Sequence, residues 1–275
     1  VDDIVETEVT PRNFGRIAAQ NAKQVVVQRI REAERGMVFE KFSSRENDIV
    51  TGIIQRMENK NVYIDLGKAE AILTPNEQIP GEIYQYHDRM KTYIVEVKKT
   101  SKGPQIMVSR THPGLLKRLF ELEVPEIHDG LVEIKSLARE PGMRSKISVY
   151  TKDENIDPVG ACVGHKGMRV QTIVNELRGE KIDIVKYSSE PDQYVANALS
   201  PAKVVSTEVL EEEKICRVIV PDYQLSLAIG KEGQNARLAA KLTGWKIDIK
   251  SESQAAEEAE QGAQEVGVAY EADED

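Results

Sequence analysis

Hydrophobic positions change period several times along the chain, and each change marks a different kind of element. Over Thr10–Arg35 the apolar residues Phe14, Ile17, Ala18, Val25, Val26 and Ile30 recur at helical spacing, with Gln20, Gln24, Gln28, Arg29, Arg31 and Glu32 at many other positions. Thr10 as N-cap and Pro11 at the first helical position set the start of that helix. A stripe of this kind is expected to be core. One helix cannot bury it alone, so its packing partners are expected upstream.

From residue 46 to 112 the pattern shortens towards period two. Ile49–Arg56, Asn61–Leu66, Ala69–Leu73, Lys91–Lys98 and Gln105–Ser109 carry β-branched or alternating apolar residues and read as strands. Glu58-Asn59-Lys60-Asn61, Gly67-Lys68, Pro80-Gly81 and Ser101-Lys102-Gly103-Pro104 supply the turns. Such a run of short strands predicts a five-stranded OB-fold β-barrel, a scaffold that binds oligonucleotides.

The second half repeats. Val163-Gly164-His165-Lys166-Gly167 recurs as Ile229-Gly230-Lys231-Glu232-Gly233. Downstream, Leu177-Arg178-Gly179-Glu180-Lys181-Ile182-Asp183-Ile184 is matched by Leu242-Thr243-Gly244-Trp245-Lys246-Ile247-Asp248-Ile249. In each copy a strand (Ile147 and Val149; Val218 and Val220) precedes a short apolar helix (Pro158–Val163; Gln224–Ile229). The Gly-x-x-Gly loop follows, then a longer helix (Met168–Leu177; Gln234–Leu242), a stop at Gly179 or Gly244, and a returning Ile-Asp-Ile strand. A glycine loop at a helix N-terminus offers free N–H groups and lets a phosphate approach without a Cβ in the way. A helix–turn–helix with packing glycines would explain one loop, but not a duplicated loop with cations inside it.

Charge alters this picture only after division. The chain of 275 residues has 37 Lys and Arg against 46 Asp and Glu, a net charge of −9. Residues 251–275 hold nine of the acids and no Lys or Arg, so the preceding 250 residues are balanced at 37 to 37. That tail, with few large apolar residues, is expected to be disordered. Apolar runs are too short for a membrane span, and no apolar leader follows the acidic Val1-Asp2-Asp3. Cys162 and Cys216 lie too far apart for a ligand pair and read as small buried residues of a protein in a reducing cytoplasm.

Catalysis finds little support. His87, His112, His128 and His165 are scattered, and no metal is expected. Ser109 and His112 lack an acid to complete a nucleophilic set, and neither glycine loop extends to a Walker phosphate loop. The expectation is a binder with no cofactor, not an enzyme.

The duplicated unit resembles the bacterial-type (type II) KH domain, whose GXXG loop clamps about four nucleotides. Tyr63-Ile64-Asp65-Leu66, Glu70-Ala71-Ile72-Leu73, Asn76-Glu77 and Val108-Ser109-Arg110 resemble the S1 domain. Thr74 stands where RNA-binding S1 members often carry His, and only Tyr63 occupies an aromatic place, so this barrel is expected to bind weakly and act partly as a spacer. The order helix, barrel, KH, KH, acidic tail resembles the NusA family of bacterial transcription factors over residues 1 to about 250. The stretches that carry this are Gly15-Arg16-Ile17-Ala18-Ala19-Gln20, Arg31-Glu32-Ala33-Glu34-Arg35-Gly36, Val108-Ser109-Arg110-Thr111-His112-Pro113, the first loop, and Val220-Pro221-Asp222-Tyr223-Gln224-Leu225-Ser226-Leu227-Ala228-Ile229-Gly230-Lys231.

The resemblance implies a multidomain α+β chain: the end of an N-terminal polymerase-binding domain (1–45), an S1-type OB-fold (46–112), a first KH domain (113–200), a second (201–250) and the tail (251–275). It implies single-stranded nascent RNA as ligand, with RNA polymerase and other Nus-type factors as partners, no membrane, and a monomer in the bacterial cytoplasm. Most of the polymerase-binding domain is not represented, so RNA binding is the expectation for these residues and polymerase docking is not. Candidate RNA ligands are Gly164, His165, Lys166, Gly167 and Arg169 in the first unit. In the second they are Gly230, Lys231, Glu232, Gly233, Gln234, Asn235 and Arg237, and on the barrel Tyr63 and Arg110. The first loop is expected to supply more phosphate attraction, and the second more polar contacts through Gln234 and Asn235. The RNA-binding part of an RNA-degrading enzyme, or of a ribosome-associated protein, is the alternative.

Overall fold

A computed structural model describes residues 14–258 and 260. The expected cap at Thr10 and Pro11 lies outside them. Helix α1 (Phe14–Ser43) runs for 30 residues. Only its last turns pack: Phe42 is buried in the barrel core, with Val38 and Phe39 against its edge, and Lys99 Nζ lies 4.4 Å from the Phe39 ring centre. The expectation of a buried stripe is corrected here, because Ile17, Val25, Val26 and Ile30 are all more than half exposed. A helix rising about 1.5 Å per residue outruns a small barrel, and nothing among the described residues covers its first half.

Strands β1 (Ile49–Glu58), β2 (Asn61–Asp65), β3 (Glu70–Leu73), β4 (Arg89–Thr100) and β5 (Gly103–Ser109) close into a barrel in the order β1-β2-β3-β5-β4. Only β3 and β5 pair in parallel. Alternation sends Val62, Ile64, Ala71, Leu73, Ile106 and Val108 inward.

The first unit is αββααβ with one short extra helix: it comprises α2 (Pro113–Glu123), the extra α3 (Pro125–His128), β6 (Glu133–Glu140), β7 (Arg144–Tyr150), α4 (Pro158–Val163), α5 (Met168–Glu176) and β8 (Lys181–Lys186). The second comprises α6 (Pro191–Ala198), β9 (Ser206–Leu210), β10 (Ile215–Val220), α7 (Leu225–Ile229), α8 (Gln234–Thr243) and β11 (Lys246–Ser251). Each sheet pairs its first two strands antiparallel and its last two parallel, leaving β8 and β11 as edges. The parallel register repeats too, with Asp183 opposite Lys146 and Asp248 opposite Arg217.

Helix α6 contributes Tyr194, Val195 and Ala198 to the same core as Cys216, Val218 and Leu238. By packing it begins the second unit, so the sequence-based limit at residue 200 falls one helix too late. No periodic signal marked α6, because its eight residues are too few to show one.

Two polar seams join the units. Arg110, wholly buried between barrel and first KH unit, donates to both Glu82 carboxylate oxygens, to Lys91 O at 2.8 Å and to Glu176 O at 3.0 Å. Between the KH units, Lys146 Nζ bonds Asp183 at 2.9 Å and Ser200 O at 2.8 Å, while Tyr194 OH donates to Ser148 Oγ at 2.9 Å.

The expected disordered tail needs a correction at its start. Residues 252–258 are helical, opened by a capping box in which Ser251 Oγ accepts from Gln254 N and Gln254 Oε1 accepts from Ser251 N. Lys250 pairs with Glu258 at 2.5 Å, and Asp222 accepts from Ser253 Oγ at 2.9 Å. Residues 261–275 lie outside the described residues.

Candidate nucleic-acid interface

Both glycine loops sit between a short helix and a longer one, and their backbones are alike. Gly164 has φ/ψ of 74/175° and Gly230 78/170°; Lys166 has 52/27° and Glu232 53/29°; Gly167 and Gly233 have 75/13° and 73/13°. The first glycine of each pair is required on two counts. Its φ is positive, and a Cβ there would stand 2.6 Å from Arg169 Cγ or 2.7 Å from Asn235 N. The last glycines have open space around them and leave bare backbone there. Helices α5 and α8 start without a side-chain cap; their first N–H groups, those of Met168 and Gln234, donate to the loop carbonyls of His165 and Lys231.

His165, Lys166, Lys231 and Glu232 are exposed at the loop tips. Exposed Met168, Leu227 and Ile229 flank them with apolar surface suited to unstacked bases. Helix α4 packs on β8 and α7 on β11, so the short helix before each loop lies against an edge strand.

Other candidates are placed elsewhere. Asn235 is buried; its amide donates to Leu199 O and Ala228 O, both at 3.0 Å, and cannot meet RNA. Arg169, half-buried, donates to Ala161 O at 2.6 Å and Glu126 at 2.9 Å. Arg110 is sealed in the barrel seam, and burial of its guanidinium is outweighed by Glu82, which keeps it firmly charged. Gln234 and Arg237 reach a carboxylate that the sequence reading did not single out: Glu140, on β6 of the first unit, accepts from them at 2.8 and 2.6 Å. That contact, above all the one from Arg237, holds the Glu140 carboxyl below its ordinary range. Tyr63 has the Arg56 guanidinium 4.1 Å from its ring centre.

The residues weighed for chemistry are structural. His112 Nδ1 accepts from Gly114 N and caps α2, with its ring stacked 4.5 Å from Tyr93. Ser109 Oγ accepts from the backbone N–H of Thr111 and His112. Burial pushes the Cys162 thiol up to about 12, which leaves it inert. No cluster of His, Cys, Asp or Glu among the described residues could hold a metal, and none of their helices is long and apolar enough to cross a membrane.

A barrel with an exposed glycine-loop pair on two αββααβ units defines a multidomain RNA-binding protein of the S1 and KH class. Family models match in the same order: the NusA N-terminal domain at residues 1–36, the S1 RNA binding domain at 43–109, the NusA-like first KH domain at 110–187 and the NusA-like second KH domain at 191–257. The chain is 71% identical to a protein of Halalkalibacterium halodurans over 94% of its own length and 67% of that protein's. It is 70% identical to one of Bacillus subtilis over 94% and 69%. A Thermus thermophilus relative is 47% identical over 90% and 64%. All three are named transcription termination/antitermination protein NusA. The chain belongs to the NusA family.

Proposed function

We propose that this protein holds single-stranded nascent RNA on its two KH loops and thereby modulates pausing, termination and antitermination by bacterial RNA polymerase. One observation carries the reading: the two loops share backbone geometry residue for residue, and both leave their tips and last glycines open. The relatives' shared name supplies the transcriptional setting. The ligands are Gly164, His165, Lys166 and Gly167 in the first unit and Gly230, Lys231, Glu232 and Gly233 in the second. The chain acts as a monomeric track in the bacterial cytoplasm, with no chemistry of its own. Its S1 barrel spaces the track and contacts RNA weakly through the Arg56–Tyr63 patch, while polymerase and Nus-type factors meet the whole family protein.

The test is fluorescence-anisotropy titration of a short single-stranded RNA at several salt concentrations. A variant with aspartate at His165, Lys166, Lys231 and Glu232 should fold and lose binding, and labelled RNA should stay full length with the wild type. Undiminished binding by the variant would move the site off the loops. Shortened RNA would turn the reading towards a degradative enzyme.

A further inference from the structure

We infer that Glu140 of the first KH unit is the residue that sets how strongly the second loop takes RNA, by competing with phosphate for Arg237. The inference rests on the RNA-binding reading above and adds a control element to it.

Arg237 lies one helical turn past the second glycine loop, on α8, and is nearly half exposed. In the free protein its Nε donates to Glu140 Oε1 at 2.6 Å, and a terminal nitrogen donates to the Glu232 carbonyl at 3.1 Å. The second carboxylate oxygen of Glu140 accepts from Gln234, the first residue of the helix, at 2.8 Å. One side chain from another domain thus grips both polar groups that lead out of the loop.

The local charge balance gives the grip its consequence. At the second loop Lys231 is offset by Glu232, which leaves Arg237 as the cation able to raise phosphate affinity, and Glu140 neutralises it. At the first loop no acid stands at the tip; Lys166 is exposed beside His165. Its nearby arginine, Arg169, is turned inward on a main-chain carbonyl and on Glu126 of the same unit, and has a structural duty instead.

A phosphate arriving at the second loop therefore displaces Glu140 from Arg237. The carboxylate set free draws a cation back from solution, so this contact releases almost no net counterion. The second loop then binds well only when the strand is already tethered to the first, where the next phosphates are presented at high effective concentration. Glu140 is a positioning and selectivity residue in this scheme. It does not touch RNA.

The experiment compares Glu140→Gln with wild type on two RNAs, one long enough for a single loop (about four nucleotides) and one spanning both. Glutamine keeps the shape and one acceptor oxygen for Arg237 while removing the charge, and its NH2 faces Gln234, whose own amide can turn to accept. Glu140→Gln should bind the longer RNA about two- to fivefold tighter at low salt, the gain expected from freeing one exposed ion pair. Its log K against log salt should steepen by about 0.7, the single-strand value for one added phosphate contact. Glu140→Gln with Arg237→Ala should lose both gains, and Gln234→Ala, which breaks the other bond without changing charge, should leave the slope alone. An unchanged slope in Glu140→Gln, with thermal melting showing it folded, makes Glu140 a structural tie and overturns the inference. Lys166→Ala serves as the separate arm: wild-type affinity and slope there would strike the loop reading itself, whatever Glu140 does.

Discussion

Arg169 and Asn235 each stand two residues past the last glycine of their loop, and each turns back to donate to a main-chain carbonyl of the short helix before it. Arg169 reaches Ala161 O at 2.6 Å, and Asn235 reaches Ala228 O at 3.0 Å and Leu227 O at 3.4 Å. Two chemically different side chains thus brace the same turn, which explains why the loop geometry repeats where the residues do not. They shape the loop from within the fold.

The brace predicts a separation of stability from binding. Asn235→Ala takes the amide donor from the buried carbonyls of Ala228 and Leu199, the latter keeping only the Ala202 N–H, and should cost about 1–3 kcal/mol, read as a lower urea midpoint. Lys231→Ala, at the exposed tip of the same loop, should leave that midpoint within about 0.5 kcal/mol of wild type. Equal losses in both would mean that the loop tip, too, is part of the fold.

At the barrel seam, Arg110 answers Glu82, which is as buried as Arg110 itself and otherwise has only the Tyr84 hydroxyl at 2.7 Å and Arg178 Nε at 3.8 Å. Arg110→Ala strands that carboxylate in a dry site and should destabilise the protein by about 3–5 kcal/mol in chemical denaturation. Methionine, which refills the volume, should recover little, because the charge on Glu82 then keeps only the Tyr84 hydroxyl and the more distant Arg178. Full recovery would show that packing rather than pairing matters there.

How far the sequence foretold these features follows from the range over which each is encoded. Glycine loops, the Ile-Asp-Ile strands and the five barrel strands are written in adjacent residues, and their limits in the structure differ from the periodic reading by a few residues at most. Arg110 looked like a surface ligand because a motif says nothing of Glu82, 28 residues away. Glu140 was invisible for the same reason, lying 97 residues before Arg237 in sequence. The stripe on α1 was read as core because amphipathic spacing reports that a face is apolar, not that something covers it. Asn235 looked available because a polar residue beside a loop is usually outside, and only the fold shows it turned inward.

Acid should unfold the KH seam in a defined sense. Burial raises the Glu180 carboxyl, but Arg139, Ser145 and the Gly142 N–H outweigh it and leave the group below its ordinary range. Asp183 behaves alike, with burial opposed successfully by Arg144 and Lys146. A carboxylate depressed in the folded state stabilises above its unfolded value, about 4, and that stability is lost as pH falls through the folded one. Urea midpoints should therefore hold between neutrality and about pH 5 and fall below it. In Glu180→Gln the midpoint should be lower at pH 7 and its acid limb flatter; a limb as steep as wild type would assign the acid sensitivity to other carboxylates.

The barrel gives the last test, because its one aromatic candidate is already occupied. Arg56 lies over Tyr63 at 4.1 Å and is itself tied to Glu70 at 2.7 Å, so a base must displace a stacked, paired guanidinium to reach the ring. An open aromatic platform is worth about 1–3 kcal/mol per base. Tyr63→Ala should therefore weaken RNA binding by much less than that, under about threefold in anisotropy titration. Glu70→Gln should do the opposite of a lost contact, since it unties Arg56 and lets the guanidinium swing to phosphate, giving slightly tighter and more salt-dependent binding. A tenfold loss in Tyr63→Ala would mean that RNA displaces Arg56 after all, and that the barrel grips the strand rather than spacing it.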